Sequence, residues 1–189
     1  MSKLWRTSLA ALALLASTAA HAVTDPYGTL LSGTYQPPAT FANLTYTNVG
    51  NVFSFTLDAL DLNTLFTTGA FIGAIAVDAP NQPTVSNVSG DTVVSVSPGG
   101  GPTGVFDFRF DLTGPQQARL TANESVSFDA TFSSPVTLTA ENFALHVQGL
   151  TSAQGGSAWY APIPEPETYA MMLAGLGLLG FTAKRKMRK

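Results

Sequence analysis

Alternation of large apolar and polar side chains is the feature that most constrains this fold. From Phe106 to Leu112 every second residue is apolar, and the residues between them are charged. The same period of two recurs in the stretches 52–58, 125–132 and 142–150. Because successive side chains of a strand point to opposite faces of a sheet, this pattern predicts strands with one buried and one solvated face.

Turn-forming Gly, Pro, Asn and Ser residues separate roughly eight to ten such segments, and no stretch between them has the period of an amphipathic helix. The sequence therefore predicts an all-β domain over residues 23–161, a single antiparallel β-sandwich of Greek-key or jelly-roll-like topology with the inward phenylalanines as its core. The Gly-, Pro- and Thr-rich stretch 24–39 is predicted to be a loop or edge segment, a single helical turn fits 61–66, and the continuously apolar stretch 70–77 predicts a strand buried on both faces.

Composition excludes several classes of function. The chain has no cysteine, which removes disulfides, thiol catalysis and thiolate metal sites. Between Val23 and Ile163 there are ten acidic residues and two arginines, a formal charge of −8 that counts against nucleic-acid binding. The glycines 99–101 lack the Lys-Ser/Thr ending of a phosphate-binding loop, and the sequence indicates no cofactor.

The first 22 residues have the pattern of a secretory signal peptide. Lys3 and Arg6 precede an apolar stretch at 9–16, and Ala20 and Ala22 form a small-x-small cleavage site. We expect export by the Sec translocon and cleavage by signal peptidase after Ala22.

The last 28 residues, 162–189, form three parts in order. A proline-rich spacer containing Pro164, Glu165 and Pro166 is followed by an apolar run at 169–183 and a basic tail at 184–189. The prolines exclude a helix through the spacer. The apolar run is short for a membrane span, but it predicts a short transmembrane helix with its basic tail on the cytoplasmic side of the inner membrane.

This three-part ending resembles the PEP-CTERM sorting signal of Gram-negative bacteria. The resemblance implies export, transient retention in the inner membrane, and recognition by an exosortase-type transpeptidase near Pro164, Glu165 and Pro166. It also implies a final location at the cell surface or in an exopolysaccharide matrix such as a biofilm. The segments 106–110 and 144–150 resemble ectodomains of other proteins with this signal, which implies no particular chemistry.

Aromatic and histidine side chains give the first candidate sites. Trp159 and Tyr160 are candidate glycan contacts, because aromatic rings can stack on sugars, although such a pair also serves as edge packing. His146 is the only histidine after residue 22. A Ser-His-Asp hydrolase would need it, but no Gly-x-Ser-x-Gly motif accompanies it. One histidine is too few for a histidine-based metal site, so none is predicted.

Charged side chains give two further candidates. Asp107, Arg109 and Asp111 share one strand face, interpreted either as an exposed ladder that keeps the face soluble or as a polar patch for sugar. Asp58, Asp61 and Asn63 offer oxygen ligands for calcium without the pattern of an EF-hand loop.

We therefore expect a non-enzymatic, exported surface or matrix protein associated with exopolysaccharide. Two alternatives stay open. The first is a carbohydrate-binding module for the matrix polysaccharide. The second is a polysaccharide-active enzyme, although no spacing in the sequence selects the pair of carboxylates that a glycosidase requires.

Overall fold

The alternating segments form the strands of an all-β domain. The computed structural model describes residues 21–67, 69–90, 92–114, 118–164 and 172–176. The strands of this part of the chain are β1 (Val23–Ser32), β2 (Ala42–Val49), β3 (Val52–Ala59), β4 (Phe71–Val77), β5 (Thr84–Ser89), β6 (Val93–Pro98), β7 (Phe108–Thr113), β8 (Glu124–Thr131), β9 (Phe143–Gln148) and β10 (Ser157–Pro162). One helical turn, α1 (Leu62–Leu65), confirms the prediction for 61–66, and single 3₁₀ turns lie at Pro102–Gly104, Ala140–Asn142 and Ser152–Gln154.

The strands make one sheet rather than the two sheets of the predicted sandwich. Their order is β5-β8-β3-β2-β1-β10-β9-β4-β7-β6, and every pairing is antiparallel. The edge strands β5 and β6 follow each other in the chain, so the two edges come together and the sheet is nearly closed. A twisted sheet of about this many strands curls on itself, which explains the barrel-like shape. The period-two pattern shows which face is buried, and it is the same for a sandwich and for a closed sheet.

The segment 24–39 was predicted to be a loop or edge segment, and this prediction is wrong for its first part. β1 lies in the middle of the sheet, between β2 and β10. Pro26 and Gly28 weaken a strand signal, because proline cannot donate to a ladder and glycine packs no side chain. Here pairing on both sides overrides that local preference, and the Pro26 carbonyl still accepts a hydrogen bond from the Ile163 N–H at 2.7 Å.

Aromatic rings fill the interior. The ring of Phe55 on β3 lies with its centroid 5.3 Å from that of Phe128 on β8 and 5.7 Å from those of Phe110 on β7 and Phe143 on β9. β7 and β9 are not neighbours of β3 in the sheet, so these contacts cross the interior. The predicted inward face of phenylalanines is therefore confirmed as the core.

The two predicted terminal segments lie largely outside the described residues. Only residues 21 and 22 of the predicted signal peptide, and residues 172–176 of the predicted 169–183 helix, are described, and 172–176 are helical. Among the described residues, no helix has both the length and the apolarity that crossing a membrane requires.

Phe55→Ala is expected to destabilise the domain by about 3–5 kcal/mol, because it empties a site that five neighbouring rings surround. Chemical denaturation monitored by tryptophan fluorescence measures the change. Val49→Ala, at a side chain that is 71% exposed, is the control and should change the free energy of unfolding by less than about 0.5 kcal/mol. If Phe55→Ala lowers the free energy of unfolding as little as the control does, the ring contacts across the interior are not what mainly holds the sheet closed.

Candidate functional site

An open cavity of about 460 Å³ lies on the outer face of the sheet. It brings together the rarest residue types of the stretch from Val23 to Ile163. That stretch contains one histidine, one tryptophan and two cationic side chains, and all four line this outer-face pocket: His146, Trp159, Arg109 and Arg119. The residues come from three strands and one loop, so the fold and not a local motif assembles them.

Strand register explains how the pocket forms. Trp159 on β10 pairs with His146 on β9, His146 pairs with Ala74 on β4, and Ala74 pairs with Asp111 on β7. These four side chains therefore lie in one row across the sheet. The buried Ala74 is small, which leaves space between the ring of His146 and the carboxylate of Asp111.

A glycine at a bulge shapes one wall of the pocket. The register of β4 against β9 shifts between Ile72 and Ala74, which leaves Gly73 as the irregular residue. A Cβ at Gly73 would lie 2.8 Å from Cδ of Gln148. Glycine is therefore the residue that allows the Gln148 amide to lie along the pocket wall.

The aromatic side of the pocket is a stacked pair. The rings of His146 and Trp159 are 4.3 Å apart and within 5° of parallel. Trp159 also packs against a small apolar cluster of Ala76, Phe106 and Ala144. Burial, and secondly the positive charge of Arg109, lower the pKa of His146 from 6.5 to about 4, against an opposing effect of Asp111. The imidazole is therefore neutral at physiological pH and offers one donor and one acceptor.

The charged side of the pocket is built on β7. The Arg109 Nε lies 2.5 Å from Oδ1 of Asp111, and Arg109 also donates to the Gly99 carbonyl at 3.3 Å. The other oxygen of Asp111 accepts a hydrogen bond from the hydroxyl of Ser97. The three residues of the predicted ladder therefore differ in their surroundings. Arg109 and Asp111 are partly buried in the pocket, whereas Asp107 is exposed outside it.

Arg119 is the cationic pocket residue that the sequence analysis did not name as a candidate. Its guanidinium carbon lies 4.3 Å from the centroid of the Phe71 ring, a cation–π contact. Within the described ranges, no carboxylate is within 4.0 Å of this guanidinium. Arg119 belongs to a loop without a recognisable motif, so only the bridge of the next residue, Leu120, to Ile72 brings it beside β4.

The two aromatic residues predicted as glycan contacts lie on opposite faces of β10. Trp159 lines the pocket, whereas Tyr160 is fully buried in the core and its hydroxyl donates to the Tyr35 carbonyl at 2.7 Å. Adjacent residues of a strand point in opposite directions, so Tyr160 does not reach a ligand in this pocket.

Two of the three residues considered for calcium, Asp61 and Asn63, have hydrogen-bond partners within the fold. Asp61 caps α1, accepting hydrogen bonds from the N–H and the hydroxyl of Thr64 at 3.3 and 2.6 Å. The Asn63 side chain accepts a hydrogen bond from the Gly69 N–H at 3.1 Å. In the part of the chain that the structure describes, no group of three or more His, Cys, Asp and Glu side chains is placed to hold a metal ion.

The proline-rich spacer begins within the fold. β10 ends at Pro162, which pairs with Tyr27 of β1, and the next residue, Ile163, donates its N–H to the Pro26 carbonyl at 2.7 Å. Pro164 is described, whereas Glu165 and Pro166 lie outside the described residues.

Comparison with known proteins identifies this ending. Residues 162–186 match the PEP-CTERM protein-sorting motif, so the chain carries this motif at its C-terminal end, consistent with an exosortase substrate. No curated protein and no solved structure matches the chain. The motif therefore concerns the localisation of the protein. The function of the domain has to be inferred from the geometry of the domain.

His146 predicts a pH dependence of stability. Its pKa is lower in the folded protein than the 6.5 of an ordinary histidine, so the unfolded chain binds the proton more tightly. This contribution to stability is fully present above about pH 6.5 and is lost as pH falls toward about 4.

In His146→Gln, which cannot titrate, this part of the pH dependence should disappear. After a discount for partial solvent exposure, we expect the wild type to lose about 1–2 kcal/mol more of its free energy of unfolding between pH 7 and pH 4 than His146→Gln does. This corresponds to about 3–6 °C in Tm. Thermal unfolding of both proteins at pH 7 and pH 4 measures it. Equal losses of Tm in the two proteins would contradict the lowered pKa.

Proposed function

We propose that this chain is an exported, exosortase-processed surface protein whose domain is a non-enzymatic module that binds sugar units of an exopolysaccharide. The first part is supported by the PEP-CTERM motif, which implies export, membrane-associated sorting and a surface or extracellular location. We infer export through Sec and removal of residues 1–22 by signal peptidase from the N-terminal pattern.

The observation that carries the binding function is the convergence of His146, Trp159, Arg109 and Arg119 on one open pocket. An apolar ring surface beside a few fixed polar groups is the usual composition of a small-molecule site. Trp159 offers apolar ring surface to the C–H face of a sugar. The neutral His146 and the amide of Gln148 offer hydrogen bonds to its hydroxyls.

The charges favour a sugar that carries an anionic group. Arg109 is neutralised by Asp111, whereas Arg119 has no carboxylate within 4.0 Å among the described residues. This guanidinium is therefore available to a carboxylate or sulfate. The surrounding domain has a formal charge of −8, which repels a densely charged polymer. We therefore infer a glycan with anionic groups spaced along the chain.

Several features favour binding over catalysis. A glycosidase acts with two carboxyl groups that flank the scissile bond. Asp111 is the one carboxylate lining the pocket within the described ranges, and it is paired with Arg109. The ring of His146 stacks on that of Trp159, and no hydrogen bond between His146 and a hydroxyl group is present among the described residues. A polysaccharide-active enzyme is therefore the weaker proposal.

Titration calorimetry on the full chain tests the binding function with two probes of equal length, an acidic oligosaccharide with one glucuronate in every four sugar units and a neutral cello-oligosaccharide. We expect the acidic oligosaccharide to bind more tightly. Trp159→Ala should weaken both by about 10-fold or more, and Arg119→Gln should weaken the acidic oligosaccharide alone by about 10-fold, the cost of roughly one charge-assisted contact. Val49→Ala, on β2 and outside the pocket lining, is the control. Binding that is absent, or insensitive to both pocket variants, would refute the proposal.

The sorting function is tested by replacing Pro164 with Ala, Glu165 with Gln and Pro166 with Ala together. Export should continue, because the N-terminal signal is intact, but processing of the C-terminal end should stop and the unprocessed chain should collect in the membrane. Fractionation with intact mass spectrometry measures both. Glu167→Gln, just outside the three residues, is the matched control and should be processed normally. A processed form of the triple variant would contradict the assignment.

A further inference from the structure

A second cavity, of about 580 Å³, opens where the chain leaves the sheet. One of its walls consists of the first residues of the sorting motif, Pro162, Ile163 and Pro164. The rest of its lining includes the apolar side chains of Leu31, Val105 and Phe106 and the carboxylates of Asp25 and Glu141. We call this cavity the exit groove, because the motif continues from it.

The motif wall of the exit groove is held to the sheet. Pro162 is in register with Tyr27, and the Ile163 N–H donates to the Pro26 carbonyl at 2.7 Å. The Ile163 side chain lies over Gly28, where a Cβ would be 2.9 Å from its Cδ1. No flexible linker therefore separates the domain from the start of the sorting motif.

Two of the large apolar side chains that line the groove are exposed. Leu31 is 46% and Val105 is 59% exposed. Single exposed apolar residues are ordinary on a protein surface. These two differ from the others because they border the same groove as the motif, and the exposed carboxylate of Glu141 lies at its edge.

Chain length determines what must approach this groove. The transpeptidase that the motif implies acts near Pro164, Glu165 and Pro166, and Pro164 is itself part of the groove wall. The apolar run begins at Tyr169, five residues beyond Pro164, and five residues reach at most about 18 Å. A membrane-embedded enzyme that binds the motif must therefore contact the groove.

We propose, resting on the exosortase processing proposed above, that the exit groove is a docking surface for the membrane-embedded processing transpeptidase. The groove takes an apolar side chain or loop of the enzyme, and Glu141 favours a basic residue beside it. The domain thereby contributes to recognition of its own sorting motif. Substrate selection then depends on the folded domain as well as on the motif.

The test measures the rate of processing by pulse labelling of the full chain in cells that make its transpeptidase. Val105→Asp and Leu31→Asp should slow processing by about 10-fold. Val93→Asp is the matched control for Val105, since Val93 is 58% exposed but lies on β6, away from the groove, and it should be processed at the wild-type rate. Equal rates for Val105→Asp, Leu31→Asp and the control would overturn the proposal.

Three further measurements keep the result decisive. If an Asp variant is no longer protease-resistant, Val105→Ser replaces it, because it removes the apolar contact without adding charge, and it should also slow processing. Ten Gly/Ser residues inserted after Ile163 leave Pro164, Glu165 and Pro166 contiguous but separate them from the rest of the groove, and the Val105 variants should then be processed at the same rate as the inserted wild type. If Val105→Asp abolishes binding of the full chain to phosphatidylethanolamine/phosphatidylglycerol vesicles but leaves processing unchanged, the groove contacts lipid and the proposal is wrong.

Discussion

Contacts between aromatic rings on strands that are not neighbours hold this domain closed. Phe55 contacts Phe110 and Phe143 across the interior, and Tyr46 contacts Phe143 with centroids 5.1 Å apart. Each aromatic pair is worth about 0.5–1.5 kcal/mol beyond its buried area. The chain has no cysteine, and Arg109–Asp111 is the one ion pair among the described residues. Closure of the sheet therefore depends on packing of the core.

The outer-face pocket and the exit groove both depend on the pairing of neighbouring strands within this sheet. The register of β10, β9, β4 and β7 forms one row, which places Trp159 and Asp111 on either side of the pocket. The pairing of β10 with β1 fixes the last strand where it passes directly into the sorting motif. Binding and sorting are proposed for different regions of one continuous sheet.

Local pattern predicted the strands well, because each strand has a face that must be buried. The period of two in the stretch that ends at Leu112, and the turn at 61–66, required no knowledge of distant residues. The strand over Val23–Ser32 was missed because Pro26 and Gly28 are poor strand residues, and its stability comes from pairing with β2 and β10.

The features that depend on long-range pairing were not predictable from the sequence. A sandwich and a nearly closed sheet present the same alternation, so strand order had to come from the structure. The same holds for the pocket. Trp159 was identified from its chemistry, whereas Arg119 joins it only because the bridge between Ile72 and Leu120 brings a loop beside β4. Tyr160 is a different case, because the alternation of side chains along β10 already places it on the opposite face from Trp159.

The intact mass of the protein from cells that produce it, measured separately for membrane and culture medium, tests the central proposal most directly. We predict a form at the cell surface or in the medium that begins at Val23 and ends close to Pro164, with or without an added group on its new C-terminus. A form found only in the membrane that still carries Lys189 would contradict it, because the C-terminal segment would then be a permanent anchor.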